Sequence, residues 1–322
     1  MTAEGAFLLA SASAFALVSG ANDGSTLVAM GTRTRAIPPA VGIAVMLVMV
    51  AVGPLLVGTA VATTLAHRLV SFGGSEGRVA LLAAVVTALI VVFVLTRRGT
   101  PTSLTLALTG GIVGAGIGAR LPVQWPVVGK VLVIGLAAPL LSVVAGWLVY
   151  RALRGPLGRL VAQRFIHVSQ YLGFALQCLA YSANDAQKMV AIVAIGTAAQ
   201  LDPVAATIEG QLAIALLFGV GILLTVRVMA GRVGEGVMYI RTPHFIATSI
   251  GSSVVVLATS LLGVPVSSTQ AATGAAVGSG VATSPFSIRW NEVSKIGLAW
   301  VVTLPVSIVL AAALAALGRL VR

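Results

Sequence analysis

The feature that most constrains this chain is a succession of long apolar segments, separated by short stretches that hold most of its arginines and lysines. About ten segments each approach the ~20 residues that a helix needs to cross ~30 Å of hydrocarbon. Hydrophobic residues fill 58% of the 322 positions and charged residues 9%, whereas soluble domains are about 25% charged. A soluble fold of this composition would expose large apolar patches. The chain is therefore predicted to be an all-α, polytopic transmembrane helical bundle.

The apolar segments form two series of five, separated by a basic linker. They lie at about 5–31, 37–65, 79–96, 100–118 and 127–150, and then at about 168–200, 204–226, 243–262, 264–283 and 293–318. We therefore expect a first transmembrane repeat over residues 1–150, a linker over 151–165 and a second transmembrane repeat over 166–322.

Two short motifs occur once in each series and support this division. Gly-Ala-Asn-Asp at 20–23 recurs as Ser-Ala-Asn-Asp at 182–185, a shift of 162 residues. Pro-Thr-Ser-Leu-Thr at 101–105 recurs as Pro-Val-Ser-Ser-Thr at 265–269, a shift of 164 residues. Two unrelated motifs that recur at nearly the same offset indicate a tandem duplication.

Both motifs place polar atoms and helix breakers inside stretches that would otherwise lie in lipid. Irregular backbone at membrane depth survives only where protein or a water-filled cavity satisfies it, and matched interruptions in two halves point to a transporter's binding site. The pattern predicts discontinuous or re-entrant helices. If the interrupted segments are re-entrant hairpins, three crossings remain in each half, the two repeats have inverted topology, and the four motifs meet near one midplane.

The Asn-Asp pairs carry the two acidic residues that are furthest from loops and segment ends, Asp23 and Asp185. A carboxylate at membrane depth is costly, so it marks a functional site by default. The alternative is that each Asp caps a half-helix. Together with Asn22 and Asn184, however, the pairs offer oxygens to a cation such as Na+ and N–H donors to an anion. We expect a mixed cation–anion site.

The Ser/Thr motifs are expected to supply the anion-binding side of this site. Each follows a proline at the predicted start of a half-helix, where unpaired N–H groups and the helix dipole favour an anion. The hydroxyls concerned belong to Ser103, Thr105, Ser267, Ser268 and Thr269. The alternative is that these small residues allow close helix packing. Lys188 stands one turn after Asn184, and it could pair with an acidic residue, attract an anion or extend to the interface.

Several function classes are excluded or disfavoured by the sequence. The net charge is +12, but the basic residues lie between apolar segments, as in membrane loops, and aromatic residues are not interleaved with them as in a nucleic-acid groove. There is no Walker A motif and no Ser-His-Asp pattern. We expect no nucleic-acid partner, no cofactor and no enzymatic activity.

These motifs resemble those of the PiT family of inorganic phosphate transporters. Gly-Ala-Asn-Asp at 20–23 with Gly31-Thr32, Asn-Asp-Ala-Gln-Lys at 184–188 and Pro-Val-Ser-Ser-Thr at 265–269 are similar to the family's signatures. The resemblance implies a secondary transporter in the inner (plasma) membrane, and it suggests a homodimer. It implies import of phosphate by symport with Na+ or H+ through alternating access.

The resemblance also implies which residues share the phosphate and cation site. Substrate contacts are expected from Asn22, Ser103, Thr105, Asn184, Ser267, Ser268 and Thr269, and the coupling cation is expected at Asp23 and Asp185 with Asn22 and Asn184. Some members of the family carry sulfate, so a sulfate permease of the same fold is the first alternative. An anion channel is the second.

Overall fold

The computed structural model describes residues 3–33, 37–97, 102–196, 207–232 and 236–320, and these ranges are almost entirely helical. Within them, seven helices are long and apolar enough to cross a membrane, which confirms the predicted all-α membrane bundle. The helices are α1 (Ala3–Ser19), α2 (Ser25–Arg33), α3 (Pro39–Val57), α4 (Ala60–Thr63), α5 (Gly74–Arg97), α6 (Leu104–Gly118), α7 (Trp125–Arg154), α8 (Pro156–Tyr181), α9 (Gln187–Gly196), α10 (Ile208–Arg232), α11 (Thr242–Leu261), α12 (Ser268–Thr283) and α13 (Trp290–Leu320).

Two boundaries differ from the apolar segments of the sequence. The segment 37–65 divides after α3 because Gly58 adopts a φ of 85°, a conformation that glycine alone adopts without strain. Helix α8 begins at Pro156, inside the stretch 151–165 that was assigned to the linker, because proline suits the first position of a helix. The domain boundaries themselves stay a prediction.

The duplicated Asn-Asp motifs form five-residue π-helical segments at Gly20–Gly24 and Ser182–Ala186. The residues that flank each segment keep right-handed helical backbone angles, so α1 continues into α2 and α8 into α9. The interruption predicted from the sequence is therefore a widened helical turn in both halves. Such π turns are frequent at functional sites, since they break the regular hydrogen-bond ladder.

The two halves exchange their packing partners. Helix α6 of the first half packs on α13 of the second, and α12 of the second half packs on α7 of the first. In the same way α1 contacts α10, and α8 contacts α3. Each contact has its counterpart at the offset of the repeat, which is the pattern that a two-fold relation between the halves produces. Neither half can therefore bury its apolar faces alone.

Glycines bring these exchanged helices into backbone contact. A Cβ atom at Gly114 would lie 2.1 Å from the carbonyl oxygen of Ile308, and one at Gly278 would lie 1.9 Å from that of Val143. Gly114 and Gly278 are related by the 164-residue shift of the repeat. Small residues of this kind permit close approach of helices in lipid, where packing replaces the hydrophobic driving force.

Gly114→Ala and Gly278→Ala should each destabilise the protein, because the added methyl group would overlap a backbone carbonyl. Overpacking of this kind costs about 1–3 kcal/mol. The measurement is the thermal unfolding midpoint of the purified protein in detergent. Gly129→Ala is the matched control, since a Cβ there meets no atom within 4 Å. Equal midpoints for all three variants would contradict the packing described here.

Candidate functional site

The second Asn-Asp motif places a buried ion pair inside the bundle. Asp185 lies in the second π segment, and Lys188 follows it in the first turn of α9, where its Nζ atom is 2.5 Å from Asp185 Oδ1. The other carboxylate oxygen of Asp185 accepts a hydrogen bond from Ser268 Oγ at the start of α12. All three residues are buried. A charged pair is tolerated at such a position because each charge has a partner.

Lys188 connects this motif to both Ser/Thr segments. Its ammonium group donates to Thr105 Oγ1 at 2.6 Å and to the carbonyl oxygen of Val266 at 2.9 Å. The hydroxyl of Thr105 in turn lies 3.1 Å from the same carbonyl oxygen. Of the roles left open by the sequence, Lys188 takes that of pairing with an acidic residue. Because it is only 2% exposed, it does not extend to the membrane interface.

The first Asn-Asp motif lies close to the second. Asn22 Nδ2 donates to Asp23 Oδ1 at 2.8 Å, and buried Asp23 is within Coulombic range of both Asp185 and Lys188. The two motifs meet around Phe218 of α10. Gly20 and Gly24 pack directly against Phe218, and the ring of Tyr181, next to the second motif, lies 5.4 Å from that of Phe218 between centroids.

The serines of the Ser/Thr segments cap two helices. Ser103 Oγ accepts a hydrogen bond from Leu106 N at 3.2 Å at the start of α6, and Ser267 Oγ accepts one from Gln270 N at 3.3 Å at the start of α12. Ser267 Oγ also lies 3.1 Å from Thr269 Oγ1. Both N-termini thus converge on the Lys188 network through Thr105 and Val266, and both present positive helix-dipole ends to it.

A small cavity of about 10 Å³, room for about one water molecule, lies beside these two N-termini. Its polar wall consists of Thr105, Thr109, Ser267 and Gln270, and helix α7 forms the opposite, apolar wall. The polar side chains are hydroxyls and an amide, which can donate to an oxyanion and accept from its protons. The cavity therefore offers anion-binding groups beside Thr105, which contacts Lys188 of the buried ion pair.

Two polar contacts of the second motif were not foreseen from the sequence. Asn184 Nδ2 donates to Ser260 Oγ of α11 at 3.2 Å, and Asn184 Oδ1 is buried with no hydrogen-bond partner. Gln187 Oε1 accepts from the backbone N–H groups of Val61 at 2.8 Å and Ala62 at 3.2 Å. Gln187 stands in the motif at 184–188, so the signal was present, but its partner is 126 residues away.

A buried charged site shared by two intertwined halves of a multi-pass bundle defines a membrane transport protein. Residues 19–163 and 157–311 each match the sequence profile described as the Phosphate transporter family. The chain therefore belongs to the phosphate transporter family. The two matches confirm the duplication and the resemblance drawn from the motifs, and membership of a transporter family confirms that the chain is not an enzyme.

Individual relatives agree with this assignment. The chain is 32% identical over 316 residues to probable low-affinity inorganic phosphate transporters of Mycobacterium bovis and Mycobacterium tuberculosis, covering 93% of this chain and 74% of each relative. It is 26% identical over 310 residues to that of Bacillus subtilis, covering 93% and 92%. The fold is similar to a solved structure described as the sodium-dependent phosphate transporter, with a TM-score of 0.85 at 17% identity over the whole of both chains.

Proposed function

We propose that this protein imports inorganic phosphate across the plasma membrane by symport with a monovalent cation, Na+ or H+, through alternating access. The observation that carries the proposal is the buried network of Asp185, Lys188, Thr105 and Ser268, to which both halves contribute. Relatives named as inorganic phosphate transporters support the cargo, and the sodium-dependent protein of the same fold supports a coupling cation.

Phosphate is proposed to bind between the N-termini of α6 and α12, where the small cavity would have to widen to admit it. Thr105 and Ser267 line that cavity, Thr269 lies beside Ser267, and Ser103 and Ser267 retain a hydroxyl proton while they cap their helices. Two positive helix ends and several hydroxyls would hold a tetrahedral oxyanion without a fixed full charge. Release is easier from such a site than from one lined by arginines.

The coupling cation is proposed to bind at the carboxylates of Asp23 and Asp185 with the amide oxygens of Asn22 and Asn184. No group of three or more His, Cys, Asp and Glu side chains converges in the described part of the chain. The oxygens near the two carboxylates come instead from amides, hydroxyls and backbone carbonyls, a set that suits a hard cation. Cation binding would lower the negative charge that repels the approaching anion.

Alternating access is proposed to follow from the two-fold exchange of helices. The pairs α6–α13 and α12–α7 have equivalent backbone contacts at Gly114 and Gly278, so the two halves present similar surfaces to each other. Equivalent packing on both sides of one site allows two states of similar free energy, which a bound ion and anion can then select.

Asp23→Asn and Asp185→Asn should each reduce coupled uptake to the level of empty vesicles, because each removes a carboxylate from the proposed cation site and Asp185→Asn also removes the partner of Lys188. The measurement is uptake of radiolabelled phosphate into proteoliposomes under a Na+ or a pH gradient. Glu292→Gln is the matched control, since Glu292 forms an exposed ion pair with Lys295. Size-exclusion chromatography verifies that each variant is folded.

Three further outcomes of this assay decide between the alternatives. Full uptake by both Asp variants would refute the site. Abolition of the signal by excess unlabelled sulfate, with matching uptake of labelled sulfate, would favour the sulfate permease. Uptake that follows the phosphate gradient alone and ignores the cation would favour a channel.

A further inference from the structure

The ammonium group of Lys188 occupies a ligand set that would suit a free cation. Its three oxygen partners are the carboxylate of Asp185 at 2.5 Å, the hydroxyl of Thr105 at 2.6 Å and the backbone carbonyl of Val266 at 2.9 Å. These are the oxygen types that hard cations coordinate. Lys188 is donor-only and buried, so it fills this position as a cation attached to the chain.

The repeat gives each of these three oxygen ligands a counterpart in the sequence. The 162-residue shift relates Asp185 to Asp23, and the 164-residue shift relates Thr105 to Thr269 and Val266 to Thr102. The 162-residue shift relates Lys188 to Thr26. The counterpart set thus has a carboxylate, a hydroxyl and a carbonyl, but a threonine at the position of the lysine.

The local contacts agree with this difference. Thr26 Oγ1 donates to the backbone carbonyl of Asn22 at 2.6 Å, so its side chain remains in its own helix. Among the described side chains, no lysine or arginine forms an ion pair with Asp23. When both carboxylates are ionised, Asp23, Asp185 and Lys188 carry a net charge of −1, and the carboxylate without an ion-pair partner is in the half that lacks a lysine.

We propose that the Lys188 ammonium permanently fills one of two symmetry-related cation positions. Each phosphate then crosses with one mobile cation fewer than it would if both positions were open to free cations. This inference rests on the proposed function. It names Lys188 as the residue that sets the cation stoichiometry, and it assigns the mobile cation to the Asp23 half of the site.

Lys188→Thr tests the inference, because it gives the second half the residue of the first. Phosphate accumulation is measured in proteoliposomes with equal ion concentrations on both sides and an inside-negative potassium diffusion potential as the driving force. One additional imported charge at 100 mV is worth about 2.3 kcal/mol, which corresponds to about a fifty-fold higher accumulation ratio. Lys295→Thr, in the exposed ion pair with Glu292, is the matched control and should leave the ratio unchanged.

A second measurement tests the inference in the case that Lys188→Thr does not transport phosphate. The unfolding midpoint of purified Lys188→Thr should rise with added Na+ or with falling pH more than that of the natural chain, because Asp185 then lacks its attached partner. The inference is overturned if Lys188→Thr transports phosphate with the same accumulation ratio as the natural chain. It is also overturned if Lys188→Thr does not transport and its unfolding midpoint rises no more with Na+ or falling pH than that of the natural chain. Failure of the proposed function is a separate result, in which the natural chain accumulates no phosphate under either a Na+ or a pH gradient.

A second inference rests on polar side chains that line the contact between α8 and α11. Gln177 of α8 accepts a hydrogen bond from Ser249 of α11 at 3.0 Å. Further along the chain, Asn184 donates a hydrogen bond to Ser260 at 3.2 Å. Gln177 Nε2, Asn184 Oδ1 and Thr248 Oγ1 are buried with no hydrogen-bond partner. Each orphaned buried group costs about 1–3 kcal/mol unless water satisfies it.

At the counterparts of Gln177, Thr248 and Ser249, the contact between α1 and α5 in the first half is apolar, although α5 also buries the hydroxyl of Thr87 without a hydrogen-bond partner. The repeat relates Gln177 to Phe15, Thr248 to Ala84 and Ser249 to Val85. All three of these first-half residues belong to the buried hydrophobic core. The polar side chains along α8 and α11 are therefore a feature of one half, and general helix packing does not require them.

We infer that water enters between α8 and α11 and connects the Asn184 end of the site to one face of the membrane, while the α1–α5 contact stays dry. Single cysteines at Ser249 and Ser252 test this in a Cys178→Ser background, with Val85→Cys and Ala88→Cys as matched controls. A membrane-impermeant, thiolate-directed reagent should modify the first pair about tenfold faster than the second. Modification of the two pairs at the same rate, or of neither pair, with and without phosphate, overturns the inference.

Discussion

The buried ion pair of Asp185 and Lys188 is the interaction on which the rest of this structure depends. A carboxylate and an ammonium group at membrane depth are tolerated only with partners for their remaining hydrogen-bonding atoms. Those partners come from both halves, since Thr105 belongs to the first and Ser268 and Val266 to the second. The pair therefore has its full set of partners only when the halves are assembled. Apolar residues at these positions would avoid the cost of burying two charges, so stability alone does not account for the pair.

The exchange of helices between the halves supplies the rigid frame for this pair. Thr102 Oγ1 and Thr303 Oγ1 lie 2.6 Å apart and join the start of α6 to α13, on the helix that Gly114 also contacts. One difference between the halves is compensated. Gly20 of the first motif packs against Phe218, whereas its counterpart Ser182 packs against Gly53. The small and large partners are interchanged between these two contacts.

Two other differences between the halves concern polar or charged side chains at or near the second Asn-Asp motif. Lys188 stands opposite Thr26 in the repeat, and Gln177 stands opposite Phe15. A duplication begins with identical halves, and a symmetric pair of sites would treat its two cations alike. The structure instead has one carboxylate with an attached cation and one without, and polar contacts on one side with an apolar counterpart. Both differences break the symmetry at the places where ions and water would pass.

Much of this arrangement could be predicted from the sequence. The composition indicates that the chain lies in lipid, and the repeat indicates that it is built from two equivalent halves. The membrane class, the duplication and the burial of Asp23 and Asp185 follow from local patterns alone. The π form of the Asn-Asp segments does not, since the sequence indicates only an interruption there. The contacts of Gln187 with Val61 and of Asn184 with Ser260 join residues 126 and 76 positions apart. Contacts over such sequence separations depend on tertiary packing, which no local pattern reports.

The most direct test of the account is the position of a bound oxyanion in the bilayer-embedded protein. Crystals grown with arsenate, a heavier analogue of phosphate, would locate the arsenic atom by its anomalous scattering. The account predicts one strong peak between the N-termini of α6 and α12, with hydroxyl oxygens of both halves at about 3 Å from the arsenate oxygens. A peak whose ligands all belong to one half, or one remote from Thr105 and Ser267, would contradict it.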